Sequence, residues 1–170
     1  MNDEVIEVKV HQVVPVNHGA AIFVGNQAKI FPIFVSAELG ETIHLFIKGI
    51  KRPRPLTHDL IGSIFAGLGV KVERIVINDL KKEEHGGTYY ARLILSAENE
   101  LGKKLIEIDA RPSDSIALAL QQKCSIYVAR HVFDAVQDAT YDLKKINEKL
   151  RQGGDPSEPT GAEEDEDEEI

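Results

Sequence analysis

The sequence has one cysteine, Cys124, so it forms no internal disulfide and fits a reducing compartment. Cys124 lies just before the apolar run Ile126-Tyr127-Val128-Ala129, which points to a packed thiol rather than a reactive one. No apolar run reaches the ~20 residues of a membrane-spanning helix. The opening Met1-Asn2-Asp3-Glu4-Val5 lacks the apolar stretch of a signal peptide, so a cytoplasmic protein with no membrane partner is the expectation. There is no close-spaced Cys/His set for structural zinc, and no P-loop or dinucleotide fingerprint. An excess of positive charge is also missing. The formal net charge is -8, and residues 151–170, with nine acids against Arg151, account for all of it. Residues 1–150 therefore sum to zero and carry no global polyanion-binding signature; contact with nucleic acid has to come from local clusters.

What is present is a domain-sized chain of 170 residues with clear periodicities. Val8 and Val10 alternate with charged neighbours, which predicts a half-exposed strand within residues 5–16. A second strand follows over Ala20–Val24. A third, over Lys29–Val35, is nearly all apolar and reads as central, with Pro32 as a complication because proline favours an edge or a bulge. Ser36 reads as the cap of a helix with Leu39, Ile43, Phe46 and Ile47 on one face. Thr57 reads as the cap of a second, with Leu60, Ile61, Ile64, Phe65 and Leu68 on one face. Strands are expected over Val70–Leu80, Thr88–Ala97 and Lys103–Asp109, with a polar loop at Lys81–Gly87 that contains His85. Ser113 reads as the cap of a third helix, followed by a short strand, Ser125–Val128. The expected organisation is a domain over residues 1–138, a C-terminal helix over 139–152 and a disordered acidic tail over 153–170. Placing Thr57 on Ser113 aligns Leu60 with Ile116, Ile64 with Leu120 and Val70 with Ile126, so two β-rich halves, each ending in a helix and a strand, give the simplest account.

Two junctions concentrate the chemistry. In Asp109-Ala110-Arg111-Pro112-Ser113-Asp114 a strand turns into a helix among two acids, a guanidinium and a hydroxyl. Carboxylates suit a hard divalent cation, arginine suits a phosphate, and a helix N-terminus adds free N–H donors. In Lys51-Arg52-Pro53-Arg54-Pro55-Leu56-Thr57-His58-Asp59 three bases precede a helix start, and His58 is the side chain best able to move a proton near neutral pH. The plain structural alternative is that Thr57 and Ser113 cap helices, Asp59 and Asp114 favour the helix dipole, and Asp109 pairs with Arg111.

Arg54-Pro55-Leu56-Thr57-His58-Asp59-Leu60 and Ile108-Asp109-Ala110-Arg111-Pro112-Ser113-Asp114-Ser115-Ile116-Ala117-Leu118-Ala119-Leu120, in that order, resemble the two signature blocks of the bifunctional nuclease domain family. The resemblance implies an α+β fold with a curved, barrel-like, mostly antiparallel sheet built from two β-rich repeats with packed helices, and homo-oligomers. It implies cleavage of DNA, RNA or both. Carried over by motif, His58, Asp59, Asp109 and Asp114 are the expected catalytic groups, with Arg54 and Arg111 for substrate phosphate and Ser113 in support; Arg52, from the basic run before the motif, is a further phosphate candidate, and Thr57 supports as a cap. Asp59, Asp109 and Asp114 are the expected ligands of Mg²⁺ or Mn²⁺. The alternative is a non-catalytic module that binds an anionic ligand or acts as an oligomeric regulator.

Overall fold

The structure, a computed structural model, describes residues 4–83, 86–100 and 102–153. The chain begins with a three-strand meander, β1 (Val5–Val16), β2 (Gly19–Gly25) and β3 (Ile30–Val35). Two helices follow, α1 (Ala37–Lys48) and α2 (Thr57–Gly67). A second meander, β4 (Val70–Glu83), β5 (Gly86–Asn99) and β6 (Gly102–Ala110), leads to α3 (Pro112–Gln122) and the short β7 (Ser125–Ala129). The described chain closes with α4 (Arg130–Ala135) and α5 (Thr140–Arg151).

These strands form one sheet in the order β3-β2-β1-β7-β4-β5-β6. All its pairs are antiparallel except β4 with β7, which run parallel. The two ends, β3 and β6, do not pair with each other, so the sheet is open and the barrel-like closure expected from the sequence is not formed. Both ends are unsuited to joining. The backbone N–H of Ala139 donates to the Ile30 carbonyl at the rim of β3. β6 is an exposed strand bearing Lys103, Lys104, Glu107 and Asp109, a charged edge of the kind that resists pairing.

β3 is an edge strand rather than a central one, and Pro32 is the reason it tolerates that place: it sits opposite Phe23 and has no N–H to lose. The buried strand of this half is β2, whose residues from Ala20 to Gly25 are all inaccessible. Each half is a three-strand meander followed by helices, β1-β2-β3 before α1 and α2 and β4-β5-β6 before α3. β7 lies between the two meanders, antiparallel to β1 and parallel to β4.

Alternation along β2 sends Ile22 and Val24 to one face and Ala21 and Phe23 to the other. The first face carries the main core, where Ile22, Phe31 and Ile75 meet Ile43 of α1, Ile116 of α3 and Val132 of α4. Each such side chain contributes about 1.5–3 kcal/mol on burial. The second face receives α5, whose Leu143 and Ile146 pack on Val14 and Phe23. α1, α2 and α3 thus form one layer above the sheet, and their ends define the clefts. His85 and residues 154–170, with all nine acids of the tail, lie outside the described residues.

Candidate functional site

The two junctions lead into α2 and α3, but both helices start earlier than a hydroxyl cap would place them. The N-cap of α2 is Leu56, with Thr57 as the first helical residue, and the N-cap of α3 is Arg111, with Pro112 at N1. Proline fits that position because the missing N–H has no intrahelical partner there. Ser113 is buried in the first turn. In α2 the capping is done by Asp59, whose Oδ2 accepts from the Leu56 N–H at 2.9 Å. Ser36 caps α1, its hydroxyl accepting from the Leu39 N–H at 3.4 Å.

α2 and α3 pack so that residues far apart in sequence meet. His58 Nε2 lies 3.2 Å from Asp114 Oδ1, and Arg111 Nε donates to Asp114 Oδ2 at 2.7 Å. A carboxylate only accepts, so Nε2 carries the proton and Nδ1 is the remaining ring nitrogen. His58 is 7% exposed and packs edge-on against Phe46, whereas the Arg111 side chain is 75% exposed. The Asp114 carboxylate pushes the Arg111 guanidinium pKa further up, so the guanidinium stays charged.

These three side chains border a pocket of about 240 Å³ that Thr57 also lines. Its remaining wall is the first turns of α1, through Ser36, Glu38 and Leu39. Three helix N-termini therefore open into one small space. Each presents N–H groups without intrahelical partners and the positive end of its dipole.

Other predicted site residues fall elsewhere. Asp59 follows His58 on α2, yet its side chain faces away into a larger cleft, where Oδ1 accepts from Gln121 Nε2 at 3.2 Å. Asp109 is exposed on β6, opposite Arg92, and does not line the 240 Å³ pocket. Arg54 is exposed in the loop before α2, and Arg52 pairs with Glu41 of α1. The expected metal ligands Asp59, Asp109 and Asp114 are thus dispersed. Among the described residues no three His, Cys, Asp or Glu side chains are grouped to hold a metal ion. Asp114 is moreover engaged by Arg111 and His58, and Asp59 by Leu56 and Gln121, so the proposed donor set does not fit a bound cation.

The part played by α1 has little signature in the sequence. Its only local signal was the Ser36 cap, which looks the same in any helix. Gln121 carries no sequence signal either; it reaches Asp59 past Gly62, where a Cβ would lie 2.5 Å from Gln121 Oε1.

A family model for the bifunctional nuclease domain matches residues 22–140, which include both junctions. Two uncharacterized proteins of Mycobacterium tuberculosis, from strains CDC 1551 and H37Rv, are each 38% identical over 107 residues, covering 63% of this chain. The aligned part spans 58% of the length of those relatives. No helix among the described residues is long and apolar enough to cross a membrane. The two junctions, their contact through His58 and Asp114 and the extent of the family match lead to one assignment: the chain belongs to the bifunctional nuclease domain family.

Proposed function

We propose that this protein is a nuclease that hydrolyses phosphodiester bonds in DNA or RNA at the 240 Å³ pocket. The observation that carries this reading is the convergence of three helix N-termini on a space that also holds Arg111 and His58. N-terminal N–H groups and a guanidinium both bind phosphate oxygens, and they stabilise negative charge that builds there during attack. His58 is the proton-moving group. Asp114 holds Nε2–H and orients the ring, which leaves Nδ1 to take a proton from an attacking hydroxyl or water. Arg54 and Arg52 extend positive charge along the approach to α2. Asp109 has no role in this reading.

Mg²⁺ is commonly held by one or two carboxylates together with substrate phosphates rather than by a cage of protein groups. With the carboxylates dispersed, any cation would be held chiefly by the substrate phosphates. A second reading, a structural clamp joining α2 to α3, is favoured by the burial of His58 and by the engagement of both Asp114 oxygens.

The two readings separate in a cleavage assay on single-stranded and duplex DNA and RNA, with Mg²⁺, Mn²⁺ or chelator. His58→Gln should lose on the order of 100-fold in rate or more. Asp109→Asn should cleave like the parent protein. Parent-like cleavage by a folded His58→Gln protein overturns the catalytic role, and no cleavage by the parent on any substrate favours the clamp.

A further inference from the structure

Behind α2 lies a second cleft of about 550 Å³, a size typical of small-ligand sites. It shares Leu56 with the phosphate pocket, so the two spaces flank the start of α2. Their helix polarity is opposite. The phosphate pocket meets the N-terminal turns of α1 and α3, while the second cleft meets their C-terminal ends, at Phe46 and Gly49 of α1 and at Gln121 and Lys123 of α3. Helix C-termini present carbonyl oxygens and partial negative charge. Asp59 adds a carboxylate, fixed by the Leu56 N–H and the Gln121 amide, with lone pairs to spare. The C-terminal carbonyls of Leu45, Phe46 and Ala119 already accept from the N–H groups of Ile50, Gly49 and Cys124, so the cleft is largely apolar with the Asp59 carboxylate as its acceptor. Positive charge stays at the rim, on Lys51, Lys123 and the Glu41-paired Arg52.

From this arrangement we infer that the second cleft is a nucleobase subsite for single-stranded nucleic acid. It holds the base of a nucleotide adjoining the phosphate that sits in the first pocket; this rests on the nuclease reading. An apolar cleft with one fixed carboxylate suits a flat ring bearing amino groups and not a phosphate. The basic rim suits the flanking backbone charges. Asp59 accepts hydrogen bonds from exocyclic amino groups, which guanine, cytosine and adenine carry and thymine and uracil lack. A paired base keeps those edges engaged, so the occupant is a single strand. Asp59 therefore serves recognition, on the opposite side of α2 from His58.

Ser63→Phe tests this from an exposed position that lines the cleft but not the phosphate pocket. Fluorescence anisotropy, under chelator, compares a labelled single-stranded oligonucleotide with one of equal length whose central bases are replaced by abasic sites. The parent protein should bind the base-bearing strand about tenfold more tightly. Ser63→Phe, shown to be folded by its melting curve, should remove that difference and leave abasic binding unchanged. Equal binding of both strands by the parent overturns the subsite, as does discrimination that survives in both Ser63→Phe and Asp59→Asn. Hydrolysis of bis(p-nitrophenyl) phosphate, a diester too small to need the cleft, keeps the two proposals apart. Its loss in the parent counts against the nuclease reading alone, and its retention in Ser63→Phe with a raised KM for oligonucleotide supports the subsite.

Discussion

Neighbouring residues on α2 and on α3 face different tasks because a helix turns by about 100° per residue. His58 turns toward Asp114, and Asp59 turns toward Gln121. The same logic governs Cys124. It follows α3, is half-buried, and burial pushes its thiol pKa up. A thiolate is the reacting form, so at neutral pH this thiol should be modified by an aromatic disulfide reagent at least about tenfold more slowly than a free cysteine. Unfolding in denaturant should remove the lag. Rapid labelling of the folded protein would mean that Cys124 is open and activated. Lys29 is the opposite case, a charged group turned inward with its needs met. Its ammonium donates to the carbonyls of Phe133 at 2.7 Å and Val136 at 3.0 Å, at the end of α4. Lys29→Met strips both acceptors and should cost about 2 kcal/mol in a denaturant melt.

Between elements, close approach is decided by single atoms. α1 lies against β2 at Gly40, where an added Cβ would come within 2.4 Å of Ala20 Cβ. Gly40→Ala should therefore destabilise by about 1–3 kcal/mol from overpacking, despite the gain of roughly 1 kcal/mol that alanine brings to a free helix. Ala20→Gly in the same chain should restore part of the loss; an additive loss would mean that the contact is not the cause. α5 is attached through Asp138, whose carboxylate accepts from the Thr140 N–H and hydroxyl and from the Ile30 N–H. These bonds hold the Asp138 pKa below its usual value, the Thr140 hydroxyl contributing most. For a depressed carboxylate, the stabilisation is complete above the unfolded-state pKa of about 3.9 and is lost as pH falls through the lower folded value. α5 should stay protected from hydrogen exchange at about pH 5 and loosen below about pH 4, and Asp138→Ala should flatten that dependence.

Across the whole molecule, the sequence was legible where information is local and opaque where it is not. Alternation located the strands, and apolar spacing with hydroxyl caps located the helices, to the residue at Ser36 and within two residues at Thr57 and Ser113. Sheet order was hidden because β7 is a five-residue strand whose neighbours, β1 and β4, are chosen by contacts from distant parts of the chain. The motifs name His58, Arg111 and Asp114, which come together, and equally Asp59 and Asp109, which lie apart, because proximity in a motif carries no direction. The insertion of β7 has a further consequence during synthesis. Val5 of β1 pairs with Ala129 of β7, so about 120 residues must follow before that edge of β1 is covered. At ribosomal rates of about 5–20 residues per second the wait is roughly 6–24 s. Through that interval the nascent chain offers an open strand edge beside Val8 and Val10. Chains arrested before residue 125 should therefore be captured by chaperones or aggregate, while those completed through α4 close the sheet and escape.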